Sequence, residues 1–410
     1  MSAVLNTTAD YFIQLEEQYG AHNYHPLPVV LTKGRGVHVW DVEGKRYYDF
    51  LSGYSAVNQG HCHPKIVEAF VAQAQQLTLT SRAFYNDKLG VFEKYITRLF
   101  GYNKVLPMNT GVEAVETAIK LCRKWAYKVK GIAENEAQII VCNNNFHGRT
   151  TTVISFSSDP SSKNNFGPFT GGFINIPYND ITALERVLQT TDNIAGFLVE
   201  PIQGEAGVLV PGDGYLTKAK TLCEQHHILF IADEIQTGLC RTGKMLACDH
   251  EKVRPDIVLL GKALSGGMMP VSAILADDEI MLTIKPGEHG STYGGNPLAS
   301  ATAIAALQVL TDENMAGNAE KLGIIFREEL KKTPSPLIKA VRGKGLLNAI
   351  EINSNDENRA WDICLALKDN SILAKPTHGD KIRFAPPLII TEEQLKECIF
   401  IIQQTLKAFE

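Results

Sequence analysis

Apolar residues in this chain come in two rhythms. Short, nearly unbroken apolar runs occupy residues 105–108, Gln138–Cys142, 152–156, 195–199, 228–232 and 256–260. Runs this short and continuous predict strands buried on both faces. Between them the apolar positions recur at helical spacing, near residues 63–76, Leu89–Phe100 and from Asn109-Thr110-Gly111 to about Lys128. Strands alternating with helices predict an α/β fold, with a mostly parallel sheet flanked by helices. Residues 155–172, rich in Ser, Asn, Gly and Pro, read as a long loop.

The ends follow other patterns. Residues 11–19 suit a short helix, and residues 37–42 and 46–50 flank Glu43-Gly44-Lys45 as a hairpin. After residue 312 the spacing gives a helix to Lys332, strands at 346–352 and 381–384, and helices at 357–369 and 391–409. The expected division is an N-terminal segment, 1–55, packed with a smaller C-terminal α+β domain, 313–410, around a large domain, 56–312. No internal repeat is visible.

Composition narrows the function classes. A chain of 410 residues can bury an ample core. Its net charge of −5 gives no reason to expect nucleic acid or an anionic membrane as partner. The apolar runs fall well short of the roughly 20 residues that span a bilayer. Met1-Ser2-Ala3-Val4-Leu5-Asn6 has neither a basic segment with an apolar core nor an arginine-rich amphipathic stretch. A cytoplasmic location is expected, or the mitochondrial matrix for a processed form. The eight cysteines contain no C-x-x-C pair and lie in apolar contexts, as buried reduced thiols do.

Chemistry concentrates at the ends of the apolar runs. One run ends in Asp233-Glu234; the next leads through Gly261 into Lys262. Ligands of open α/β sheets gather at the carboxyl ends of the strands. An amine there can condense with an aldehyde, and a carboxylate can hold a ring nitrogen protonated, so the pair suits a cofactor with both groups. Gly111 and Val112 open a helix whose free N–H groups can hold a phosphate, although capped turns recur in every α/β protein. Phe146 can stack on a flat ring and Arg149 can grip a carboxylate; read singly, both also suit a surface loop. Glu200 and Glu205 follow another run and can orient groups, pair with an arginine or make structural hydrogen bonds.

Two motifs point elsewhere and fail. Gly238-Leu239-Cys240-Arg241-Thr242-Gly243-Lys244-Met245 nearly matches a nucleotide phosphate loop, but Met245 stands where a Ser or Thr must bind magnesium, and the acidic strand precedes the loop. His61-Cys62-His63 lacks further ligands, and no metal site is expected. Gly290-Ser291-Thr292-Tyr293-Gly294-Gly295-Asn296-Pro297 is a glycine-rich turn whose hydroxyls can bind phosphate.

In order and spacing, from Asn109-Thr110-Gly111 through Asp233, Lys262 and Thr292 to Arg383, the chain resembles the class III, fold-type I aminotransferases that use pyridoxal 5'-phosphate. Residues 19–26, 54–64, 79–85, 284–297 and 381–387 resemble the branch of that family that acts on ornithine. The resemblance implies that Lys262 bonds the cofactor and moves the proton, that Asp233 pairs with the ring nitrogen and that Gln236 bonds the ring hydroxyl. Phe146 and Ile235 would flank the ring, and Gly111 and Val112 would hold the phosphate. Ser291 and Thr292 would reach the phosphate from the neighbouring subunit of a homodimer with shared active sites.

For L-ornithine the resemblance implies transfer of the terminal amine to 2-oxoglutarate. Tyr24 and Arg149 would hold the α-carboxylate, and Glu205 would mask Arg383 until 2-oxoglutarate arrives. Tyr54 resembles the tyrosine that separates ornithine enzymes from 4-aminobutyrate relatives. His147 and Cys240 depart from the usual pattern without touching a proposed role. The rival readings are another class III activity, on N-acetylornithine, 4-aminobutyrate or lysine, a cofactor-free binding protein on the same scaffold, and an ATPase.

Overall fold

A computed structural model describes residues 8–410; the reading of residues 1–6 as free of a targeting signal lies outside them. The expected central sheet is present with seven strands: β1 (Lys104–Met108), β2 (Gln138–Cys142), β3 (Phe173–Ile176), β4 (Ile194–Val199), β5 (Leu229–Asp233), β6 (Ile257–Leu260) and β7 (Ser272–Ala276), in the order β1-β7-β6-β5-β4-β2-β3. All neighbours are parallel except β7, which runs against both β1 and β6. The carboxyl ends of the other six strands therefore share one edge.

Alternate side chains explain why helices cover both faces. Ile139, Val141, Leu198, Ile231, Ile257 and Leu259 pack on one side with Ala114, Ala118 and Leu121 of helix α1 (Gly111–Trp125). Ile140, Cys142, Phe197, Val199, Phe230 and Ala232 pack on the other with Leu184, Leu188, Leu216 and Ala219. Each fully buried Val, Leu, Ile or Phe side chain contributes about 1.5–3 kcal/mol, so a one-residue register slip is strongly disfavoured.

Residues 152–156, expected as a strand, are instead helical as Thr151–Ser155. Val153 and Ile154 still point into the core, which a short helix achieves as well as a strand. The long loop before β3 contains one helical turn, Pro160–Lys163.

A second sheet is antiparallel, built from Ile338–Lys344, Leu347–Ile352, Lys381–Phe384 and Lys375–Thr377. A third joins the N-terminal hairpin strands His38–Asp41 and Arg46–Asp49 with Leu31–Arg35, and with Ile372–Leu373, which pairs in parallel with Arg46–Asp49. The hairpin is thus tied to the C-terminal part of the chain. Among the described residues, no helix is long and apolar enough to cross a membrane.

Candidate active site

At the shared carboxyl edge lies a cavity of about 190 Å³, lined by residues that include Gly111, Val112, Phe146, Glu205, Asp233, Ile235, Gln236 and Lys262. Each lining element arrives from a strand end. Helix α1 follows β1, Phe146 follows β2, Glu200 follows β4, Asp233 closes β5, and Lys262 stands two residues beyond β6. A wider cleft of about 970 Å³ lies beside the N-terminal helix and Trp361, away from this chemistry.

The start of α1 is prepared for an anion. The Glu113 carboxylate accepts the N–H groups of Asn109 (2.9 Å) and Thr110 (2.8 Å), and the Ser272 hydroxyl donates to the Thr110 carbonyl (2.7 Å). That leaves the N–H groups of Gly111 and Val112 without a partner among the described residues, at the positive end of the helix dipole. Gly148 lets the chain after β2 press on this helix start; a Cβ there would lie 2.4 Å from Val112 Cγ2.

On the opposite wall Asp233 Oδ2 is 2.6 Å from His147 Nδ1, and both side chains are buried. Burial works against charge on His147, but the bond to Asp233 together with the charges of Asp233 and Glu200 outweighs it and raises the imidazole above its ordinary value. Burial pushes the neighbouring Glu200 carboxyl up to about 7 despite the attraction of His147. Glu200 accepts the Phe146 N–H at 3.0 Å, the structural bond that its position allowed. The Lys262 amine makes no hydrogen bond among the described residues. Burial lowers its pKa, and Glu205 and Asp233 only partly offset that. A desolvated amine of this kind is unprotonated in larger fraction near neutral pH than one in water, and so is more available as nucleophile and proton acceptor.

Arg383 is 3% exposed and donates from Nη1 to Glu205 Oε1 at 2.7 Å, with its guanidinium 4.8 Å from the centre of the Tyr54 ring. Burial would raise the Glu205 carboxyl, yet Arg383 holds it below the usual carboxylate range. Gln236 Nε2 donates to the same Glu205 oxygen at 3.1 Å, so here it serves the ion pair. Tyr54 sits in a left-handed turn with φ between 51° and 71° from Ser52 to Ser55. Non-glycine residues there cost about 1–2 kcal/mol each.

Most of the expected residues therefore converge, and four stand apart. Arg149 is exposed, its guanidinium 5.7 Å from the centre of the Phe146 ring. Tyr24 is 73% exposed and lines the wider cleft. Ser291 accepts from Asn109 Nδ2 at 2.8 Å, outside the cavity, and Thr292 is exposed.

The partner of Asp233 was missed: His147 was noted only as a departure from pattern. Local pattern carries no signal for it, because the contact depends on β2 and β5 ending on the same edge either side of β4. The phosphate-loop mimic resolves differently. Arg241 is buried and donates to Asn58, Leu346 O and Pro386 O, while Lys244 pairs with Glu320 at 3.6 Å on the surface. His61 bonds to Asp49, and His63 to Glu313.

The model of the class III aminotransferases matches residues 19–406. The chain belongs to that family. Its cofactor is pyridoxal 5'-phosphate, and the aminotransferase cavity fits that group: a half-buried amine free of hydrogen bonds, an acid beside it, two unpartnered N–H groups at a helix start, and buried, unpartnered His147 Nε2 and Gln236 Oε1. The mitochondrial ornithine aminotransferase of Rattus norvegicus is 63% identical over 402 residues, covering 98% of this chain and 91% of the relative. The ornithine aminotransferase structure from Toxoplasma gondii ME49 superposes with a TM-score of 0.96 at 50% identity, covering 98% and 96% of the two chains. A structure from Elizabethkingia anophelis described as an acetylornithine aminotransferase has 63% identity and a TM-score of 0.91, covering 98% and 99%.

Proposed function

We propose that this aminotransferase moves the terminal amine of L-ornithine to 2-oxoglutarate, giving glutamate 5-semialdehyde and L-glutamate in two half-reactions. The carrying observation is the Glu205–Arg383 pair beneath Tyr54. An unmasked Arg383 would seize an α-carboxylate and present the α-amine; masked, it leaves the far end of the substrate to be held elsewhere. The names of the rat and Toxoplasma relatives support the same substrate.

When bound, the cofactor supplies an aldehyde that takes up an amino group and a ring that accepts the electron pair freed at carbon. Lys262 Nζ would hold the aldehyde end and carry the proton to and from the substrate carbon. Asp233, kept in place by His147, would pair with the ring nitrogen and hold it protonated. Gln236 would serve the ring hydroxyl, Phe146 and Ile235 would confine the ring, and Gly111 and Val112 would donate to the phosphate. Tyr24 and Arg149 close over the α-carboxylate of ornithine. In the second half-reaction Arg383 leaves Glu205 to take the α-carboxylate of 2-oxoglutarate, and Arg149 takes the other end.

The same reading makes the active unit a homodimer, with Ser291 and Thr292 reaching the partner's phosphate. The three-part division at residues 55 and 312 belongs to it too. The eight free thiols, seven of them buried, suit a reducing compartment such as the cytoplasm. Neither nucleic acid nor membrane enters the account.

The Elizabethkingia relative gives N-acetylornithine a claim as the second reading. A panel of L-ornithine, N-acetylornithine, 4-aminobutyrate and lysine with 2-oxoglutarate separates the two. Ornithine should give the highest kcat/KM; a higher value for N-acetylornithine would replace the proposal.

A further inference from the structure

The chain from Asp49 to Ser55 is bound more tightly than its length suggests. Asp49 Oδ1 accepts two N–H groups, from Leu51 at 2.8 Å and Ser52 at 2.9 Å, while its Oδ2 is 2.7 Å from His61 Nε2. Phe50 N–H donates to Leu373 O at 2.9 Å, and Phe50 O accepts from Ala385 N–H at 2.7 Å. The Ser52 hydroxyl, fully buried, donates to Ala385 O at 2.7 Å.

Ala385 lies two residues beyond Arg383, directly after the strand Lys381–Phe384. The turn that carries Tyr54 is therefore fastened to the same stretch of backbone that carries Arg383. The left-handed conformations of Ser52, Tyr54 and Ser55 persist because the start of the turn is held. The guanidinium is left over the Tyr54 ring, with Glu205 hydrogen-bonded to its Nη1.

We infer that Ser52 and Asp49 are positioning residues that set which amine of the substrate reacts, by holding the Tyr54 ring on Arg383 and so keeping Arg383 on Glu205. The inference rests on the ornithine reading above. Neither residue touches the cavity. Ser52 acts through the carbonyl of Ala385, and Asp49 acts through the backbone of the turn. A slackened turn lets Tyr54 swing away, frees Arg383 for α-carboxylates, and raises transfer of the α-amine at the expense of the terminal one.

The test uses the holoenzyme and L-ornithine, reading the ratio of terminal-amine to α-amine product. Ser52→Gly keeps the backbone conformation accessible and removes the hydroxyl. It should lower that ratio about tenfold, the effect of one buried hydrogen bond, while the variant still folds and binds its cofactor. Combined with Tyr54→Ala it should add little, because both changes act through the same ring. Asp49→Asn loosens the turn from its other end and reads the same ratio if Ser52→Gly does not fold. A wild-type ratio in a folded variant, or full additivity with Tyr54→Ala, would overturn the inference while leaving the ornithine reading intact. If the wild type itself makes no terminal-amine product, both fall together.

Discussion

Glu205 carries the specificity argument on one carboxylate. It is held ionised by Arg383, and its removal frees a buried guanidinium with no other carboxylate in hydrogen-bond contact. Glu205→Ala should raise kcat/KM for α-amino donors at least tenfold relative to ornithine, a shift of about 1.4 kcal/mol or more in relative transition-state binding. Steady-state kinetics with paired donors measures it, and an unchanged preference would remove the masking role. Glu200 makes a different prediction. Its folded carboxyl titrates near 7 against an ordinary 4.5, so between those values the folded state holds a proton that the unfolded chain has released. Stability must fall as pH rises through that window, by about 3 kcal/mol at most. His147, raised by Asp233, adds to the loss in the same direction. Denaturant melts at several pH values should show the slope, and Glu200→Gln should flatten it.

At the scale of elements, the parallel core was readable because strands buried on both faces appear as uninterrupted apolar runs. β2 was expected within its observed bounds, and β1, β4, β5 and β6 within one residue at each end. The exceptions share a cause. Thr151–Ser155 is too short, and too rich in β-branched residues, for spacing to separate helix from strand. β7, Ser-Ala-Ile-Leu-Ala, is small-residued and fully buried between β1 and β6, and β3 is a short edge strand. β7 carries no polar alternation, and the single polar position of β3, Asn175, is too little to announce a strand. In the site, Lys262, Asp233 and Gly111 were legible because strand ends are fixed by topology. The Asp233–His147 bond was not, since it depends on which strands are neighbours, and that order is absent from local pattern. Contacts between elements also make Gly148 demanding. Its φ of +121° and the 2.4 Å approach to Val112 leave no room for a methyl group. Gly148→Ala should cost about 1–3 kcal/mol of stability and weaken retention of the cofactor, read by thermal melting and by absorbance after gel filtration.

For the molecule as a whole, the exposed Thr292 and the open cleft beside Tyr24 fit a site completed by a second copy. That proposal has a complementation test. Lys262→Ala subunits and Thr292→Asp subunits should each be inactive alone. After refolding together, half the dimers are mixed, and each carries one intact site, so about a quarter of wild-type activity should return. No recovery would mean that each chain builds its own site. The account as a whole stands on which nitrogen leaves ornithine. L-Ornithine labelled with nitrogen-15 at its terminal amine, incubated with the enzyme and 2-oxoglutarate, decides it by mass spectrometry. The label should appear in glutamate; label retained in the ornithine-derived product while unlabelled glutamate accumulates would contradict the account.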